Sequence, residues 1–117
     1  MKYLLTLYRE ESRFADMTPE QLNENMQRWD AYTSEAIDAG VHLGGEGLQP
    51  SATATTVKIQ ESGDQLVTDG PFAETKEQLG GFYLLDCKDL DEATAYAAKI
   101  PGAWTGSVEV RPIMEFN

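Results

Sequence analysis

Two segments of the chain, KYLLTLY at residues 2–8 and GFYLLDC at residues 81–87, are apolar on both faces when read as strands. In the first, Tyr3, Leu5 and Leu7 point one way, and Leu4 and Tyr8 point the other. Side chains alternate between the faces of a strand, so segments of this kind belong inside a sheet covered on both sides. A chain of 117 residues is near the commonest size for one domain with one core. It must therefore find helices for one face of that sheet and a second cover for the other.

The helices are well punctuated. Over residues 18–40, Thr18 is a candidate N-cap, Pro19 fits the first helical position and Gln21 completes a capping box. Leu22, Met26, Trp29, Thr33, Ala36 and Ile37 follow helical spacing, and Gly40 is a natural stop. A second helix opens at Asp89 with Glu92 three residues on; its stripe is Leu90, Ala93, Ala97 and Ile100, and Pro101-Gly102 ends it. Residues 41–52, VHLGGEGLQPSA, predict a loop. Residues 53–60 and 65–69 predict a hairpin around the ESGD turn, residues 70–80 a second loop, and residues 107–113 a last strand.

The expected order is β-α-β-β-α-β, with an extra short strand from the hairpin. This is the ferredoxin-like pattern of an α+β domain, with helices on one face of the sheet. A second copy of the sheet is the simplest cover for the other face, giving a face-to-face homodimer. There is no internal repeat or linker, so residues 1–117 are read as a single domain.

Charge narrows the partners. Twenty Asp and Glu stand against nine Lys and Arg, for a formal net charge of -11. Such a surface repels phosphate backbones and anionic membranes, so neither nucleic acid nor a membrane is expected as a partner. A small anion needs only one or two cations in a pocket. Cys87 is the single cysteine, which excludes an internal disulfide and reads as a small buried apolar residue. No second His or Cys stands at metal-ligand spacing from His42, and no nucleotide fingerprint follows a strand, so no metal and no cofactor is expected. The N-terminal apolar run is too short for a signal-peptide core, and a cytoplasmic protein is the default.

The segment VTDGPFAETKEQLGGFY at residues 67–83, with the terminal VEVRPI, resembles the signature of the DGPF domain, a branch of the YciI-like proteins. GVHLGGEGLQP at residues 40–50 and the opening strand fit the same family, so the resemblance spans nearly the whole chain. It implies a dimeric α/β barrel with a pocket in each subunit, and a fold like that of muconolactone isomerase. Genes of this kind often lie beside extracytoplasmic-function sigma factors. The YciI-type His in the first helix is missing here, so a His–Asp dyad does not carry over.

Several residues are site candidates. Asp69, before Gly70-Pro71, is either a general acid or base or a carboxylate holding its own turn. His42 has the side chain suited to proton transfer near neutrality, and is otherwise a loop residue exposed to solvent. Phe72 and Trp29 pack in the core or line a pocket. Glu74 and Lys76 form a solvated charge cluster or a proton carrier and a cation at a pocket rim. Arg111 pairs with Glu109 on the same strand face or grips a carboxylate with its planar fork. The first functional reading is a homodimer that binds a small molecule, such as an organic acid, between the sheet and the first helix, with Asp69, Lys76 and Arg111 as polar groups and a regulatory role. The second is a cofactor-free lyase, isomerase or monooxygenase of small organic acids with Asp69 as acid or base.

Overall fold

The computed structural model describes residues 1–101 and 105–116. Among them the elements run β1 (Lys2–Arg9), α1 (Pro19–Asp38), β2 (His42–Gly47), β3 (Thr55–Ile59), β4 (Gln65–Asp69), β5 (Gln78–Asp86), α2 (Leu90–Lys99) and β6 (Ser107–Pro112). Single 3-10 turns cover Glu11–Arg13 and Ser51–Thr53. The two doubly apolar segments become the central strands of a four-stranded sheet of order β2-β5-β1-β6. All neighbours are antiparallel, which leaves β1 and β2 parallel with β5 between them. This is an α+β arrangement consistent with the ferredoxin-like pattern.

Register decides which side chains meet the helices. Leu5 lies opposite Tyr83 on one side and Val110 on the other, and Tyr3 lies opposite Leu85 and Pro112. Tyr3, Leu5 and Leu85 form one buried cluster with Tyr32 and Ala36 of α1 and with Ala93 and Ala97 of α2. Both helices therefore cover the same face. The other face carries Leu4, Thr6, Tyr8, Phe82 and Leu84, half-buried, with neither helix across them.

Local signals set the helix ends as expected. The Thr18 hydroxyl accepts from the Gln21 amide, and the Gln21 side chain accepts from the Thr18 amide. At the other end Gly40 takes φ +76°, and the amides of Gly40 and Val41 reach the carbonyls of Ile37 and Ala36. That geometry is a Schellman stop, which favours glycine at the left-handed position. Asp89 caps α2 by accepting from the Glu92 amide. Pro101 follows α2, whereas Gly102 lies outside the described residues.

Three expectations need correction. First, part of the 41–52 segment is a strand, not a loop. β2 pairs with β5, Gly45 opposite Tyr83 and Gly47 opposite Gly81. Glycine lowers strand propensity, which hid the strand; here it is required by close approach. A Cβ at Gly45 would sit 2.8 Å from the Phe82 carbonyl, and one at Gly81 would sit 2.8 Å from the Glu46 carbonyl. Second, the β3–β4 hairpin is not part of the main sheet but forms a separate two-stranded ribbon. Its apolar side chains Val57, Ile59, Leu66 and Val67 are all exposed. Third, the buried stripe of α1 is shorter than its spacing suggests: Tyr32 and Ala36 are buried, but Leu22, Met26 and Ile37 are exposed, as is Leu90 in α2. Cys87, just past β5, is buried, and burial pushes its thiol up.

Candidate functional site

The core holds α1 through its C-terminal half. Its N-terminal half borders a cavity of about 890 Å³, closed below by the sheet. Leu7, Gly45, Gly81 and Tyr83 belong to its floor, and Trp29 and Thr33 of α1 to its wall. Glycine in place of side chains deepens that floor.

Tyr83 organises the wall. Its ring stacks on Trp29 with centroids 6.1 Å apart and planes 12° apart. Tyr32 and His42 meet the same ring edge-on, at 5.2 Å and 6.0 Å. The Tyr83 hydroxyl and Thr33 Oγ1 are 2.8 Å apart. Burial pushes the Tyr83 phenol up, partly offset by that hydrogen bond. Tyr32 is pushed up further by burial, and among the described residues its hydroxyl has no hydrogen-bond partner.

Arg9 enters the cavity from the end of β1. The β1–β5 register slips between Leu7 and Tyr8, so β5 carries an extra residue, Gly80, at that point. A Cβ on Gly80 would lie 3.0 Å from Arg9 Nε; glycine leaves room for the guanidinium. The guanidinium lies over the Phe14 ring, 4.4 Å from its centroid, a cation–π contact. Arg9 Nε is buried and has no hydrogen-bond partner among the described residues. The neighbouring acids are held elsewhere. Glu10 pairs with Arg13 and Lys76, and Glu11 accepts from the Ser51 amide and hydroxyl.

The candidates from sequence are divided among separate places. Trp29 and His42 line this cavity, with His42 now the first residue of β2. Phe72, Glu74 and Lys76 border a second, more open hollow beside the loop after β4, where Phe72 is 90% exposed and Lys76 Nζ is 3.8 Å from Glu10. Asp69 ends β4 on the hairpin, opposite Thr55 and exposed, and lines neither hollow. Its turn is held by backbone instead: Gly70, at φ +95°, donates to the Ala54 carbonyl and accepts from Thr56 Oγ1. Arg111 lies on the uncovered face with Nε 3.8 Å from Glu109. Asp69, Lys76 and Arg111 are thus not gathered between the sheet and α1. Sequence reading missed Arg9, Thr33 and Tyr83 as a group, because the slip at Gly80 that aims Arg9 leaves no mark in a single sequence.

Fold and site together define a small α+β domain with an aromatic cavity under its first helix. The chain matches the YCII-related domain over residues 1–117 and belongs to that family. It is 40% identical over 115 residues to an uncharacterized protein of Rhizobium meliloti (strain 1021), an alignment covering 97% of this chain and 92% of the relative. Among the described residues no helix is long and apolar enough to cross a membrane, and no group of three or more His, Cys, Asp or Glu side chains is placed to hold a metal ion.

Proposed function

We propose that this YCII-related domain is a small-molecule-binding protein that acts as a homodimer. The cavity under α1 carries the binding half of this reading. It is of drug-sized volume, largely apolar, and holds a few convergent polar groups, the usual character of a ligand site. Asp69 is on the hairpin and not on its wall, so binding is favoured over proton transfer by that residue. Binding without turnover suits the regulatory role, beside extracytoplasmic-function sigma factors, that the DGPF resemblance implies. A cytoplasmic setting goes with it, since the lone thiol of Cys87 is buried and calls for no oxidising compartment.

Surface area supports the dimer. The chain exposes 8444 Å², against about 6,300 Å² for a compact monomer of its mass. The excess of about 2,100 Å² per chain is of the order that an obligate homodimer removes from each subunit. The radius of gyration, 16.4 Å, likewise exceeds the roughly 13 Å of a compact domain this long. The uncovered sheet face and the hairpin are where the second copy would sit.

Two measurements test the reading. In a screen of small organic molecules by protein-observed NMR, ligands should shift Trp29, Thr33 and His42 and leave Asp69 and Lys76 still. Shifts confined to residues 70–77 would move the site to the second hollow, and no shifts at all would sink it. Sedimentation should give twice the 13.0 kDa of one chain; a monomer at micromolar concentration ends the dimer half.

A further inference from the structure

The chemical class of the ligand can be taken further, resting on the cavity reading above. A guanidinium carries its charge at any accessible pH, and a buried charge is costly unless an opposite charge and hydrogen bonds meet it. Arg9 is half-buried as a residue, but its Nε is buried and has neither. No ion pair among the described residues includes it. Glu10 and Glu11, next to it in the chain, are turned to Arg13, Lys76 and Ser51. Phe14 covers one face of the guanidinium; its N–H donors lie in its plane, where a planar acceptor meets them best, and none has a hydrogen bond among the described residues. The same cavity offers flat apolar surface on Trp29 and Tyr83.

We infer that the cavity takes a small planar carboxylic acid, its carboxylate on the Arg9 guanidinium and its body against the Trp29 and Tyr83 rings. A monocarboxylate fits better than a phosphate. One guanidinium balances one charge, and Asp16, Glu24, Asp30 and Glu46 border the cavity in a chain whose net charge is already -11. A dianion would meet that repulsion with Arg9 as its one inward counter-charge, since of the other two cations at the border Arg13 is paired with Glu10 and Arg28 is exposed on α1. Gly80 is the positioning residue, since any side chain there pushes on Arg9 Nε.

The test is an NMR titration of the isotope-labelled full chain with benzoate, benzamide and phenyl phosphate, following the Arg9 Nε–Hε signal. Benzoate should move that signal and bind about tenfold or more tightly than benzamide, the scale of one charge-assisted hydrogen bond. Arg9→Met should abolish the preference. Gly80→Ala, which keeps the charge and displaces it, should weaken benzoate several-fold and leave benzamide unchanged; it carries the test if Arg9→Met does not fold. Arg28→Gln, an exposed cation at the cavity border, should alter benzoate binding less than about threefold, as screened surface charges do. If benzamide binds as tightly as benzoate, the acid assignment falls and the cavity reading stands. If phenyl phosphate binds tenfold or more tightly than benzoate, the carboxylate assignment falls in favour of phosphate. If no probe moves any cavity signal at millimolar concentration, both readings fall.

Discussion

Thr33 Oγ1 and the Tyr83 hydroxyl lie 2.8 Å apart and tie α1 to β5 beside the cavity. A neutral hydrogen bond of this kind contributes about 1 kcal/mol. Tyr83→Phe and Thr33→Val should each lower stability by about that amount in urea unfolding. The double variant should cost little more than either single one, because both remove the same bond. Fully additive losses would show that the bond contributes nothing.

Tyr32 is the most strongly raised of the three phenols, with Tyr3 and Tyr83, whose burial sets the alkaline limit. Burial holds its phenol neutral, with a pKa above the ordinary 10.0. The folded chain keeps this proton where the unfolded chain releases it, so the stabilisation is complete below pH 10 and is lost as pH rises further. One such group costs at most about 1.4 kcal/mol per pH unit. The Cys87 thiol, raised above 9.0 by burial, starts the decline about a unit earlier. Tyr32→Phe should make the fall above pH 10 shallower, leaving the share of Tyr3 and Tyr83. It should also hold or raise stability at neutral pH, since its hydroxyl has no partner to lose. Urea midpoints from about pH 8 to about pH 11 decide both points.

The glycines of β2 differ sharply in what they tolerate. Gly45→Ala drives a methyl into the Phe82 carbonyl and the Tyr83 ring, and should cost about 1–3 kcal/mol. Gly44→Ala meets nothing within 4 Å and should stay within about 0.5 kcal/mol of the parent. Equal thermal shifts for the two variants would contradict the β2–β5 register.

Asp69 and Gly70 separate side-chain from backbone roles in the hairpin turn. Asp69 is exposed, and its side chain makes no hydrogen bond or ion pair among the described residues, so Asp69→Asn should change stability by less than about 0.5 kcal/mol. Gly70→Ala forces a Cβ into the left-handed region at φ +95° and should cost about 1–2 kcal/mol. A large loss from Asp69→Asn would mean that the carboxylate holds the turn after all.

The uncovered sheet face should fail first under charge. Leu84 lies there, opposite Leu4 and Gly44. Leu84→Arg would place an unpaired cation in the middle of the proposed dimer contact. The variant should sediment as a single chain while keeping its helical circular dichroism. A dimer of unchanged affinity would place the contact elsewhere.

How much the sequence discloses depends on whether a signal is local. The Thr18–Gln21 box, the Asp89 cap and the Gly40 stop are written within a few residues and reappear in place. Apolar strands on both faces correctly mark β1 and β5 as central. β2 stays hidden because its reason for being a strand is the close approach of β5 across the sheet, a contact made with residues some forty positions away. The α1 stripe reads too long for a related cause: helical spacing shows which residues could face a core but not how far the core extends, and Leu22 and Met26 lie beyond its end. The site divides in the same way. Trp29 and His42 are visible as residue types, but Arg9 becomes distinctive only when Glu10 and Glu11 are seen bonded to other partners.

The hairpin draws no stability from a core of its own, since Val57 and Val67 face each other and solvent at once. A ribbon of two strands is marginal alone in water. In the proposed dimer its order is tied to abundance. Under that proposal, dilution that parts two copies would also strip the arm of its cover, so a protease acting on β3 would read out the protein's concentration, cutting fast when the protein is scarce and slowly when it is plentiful.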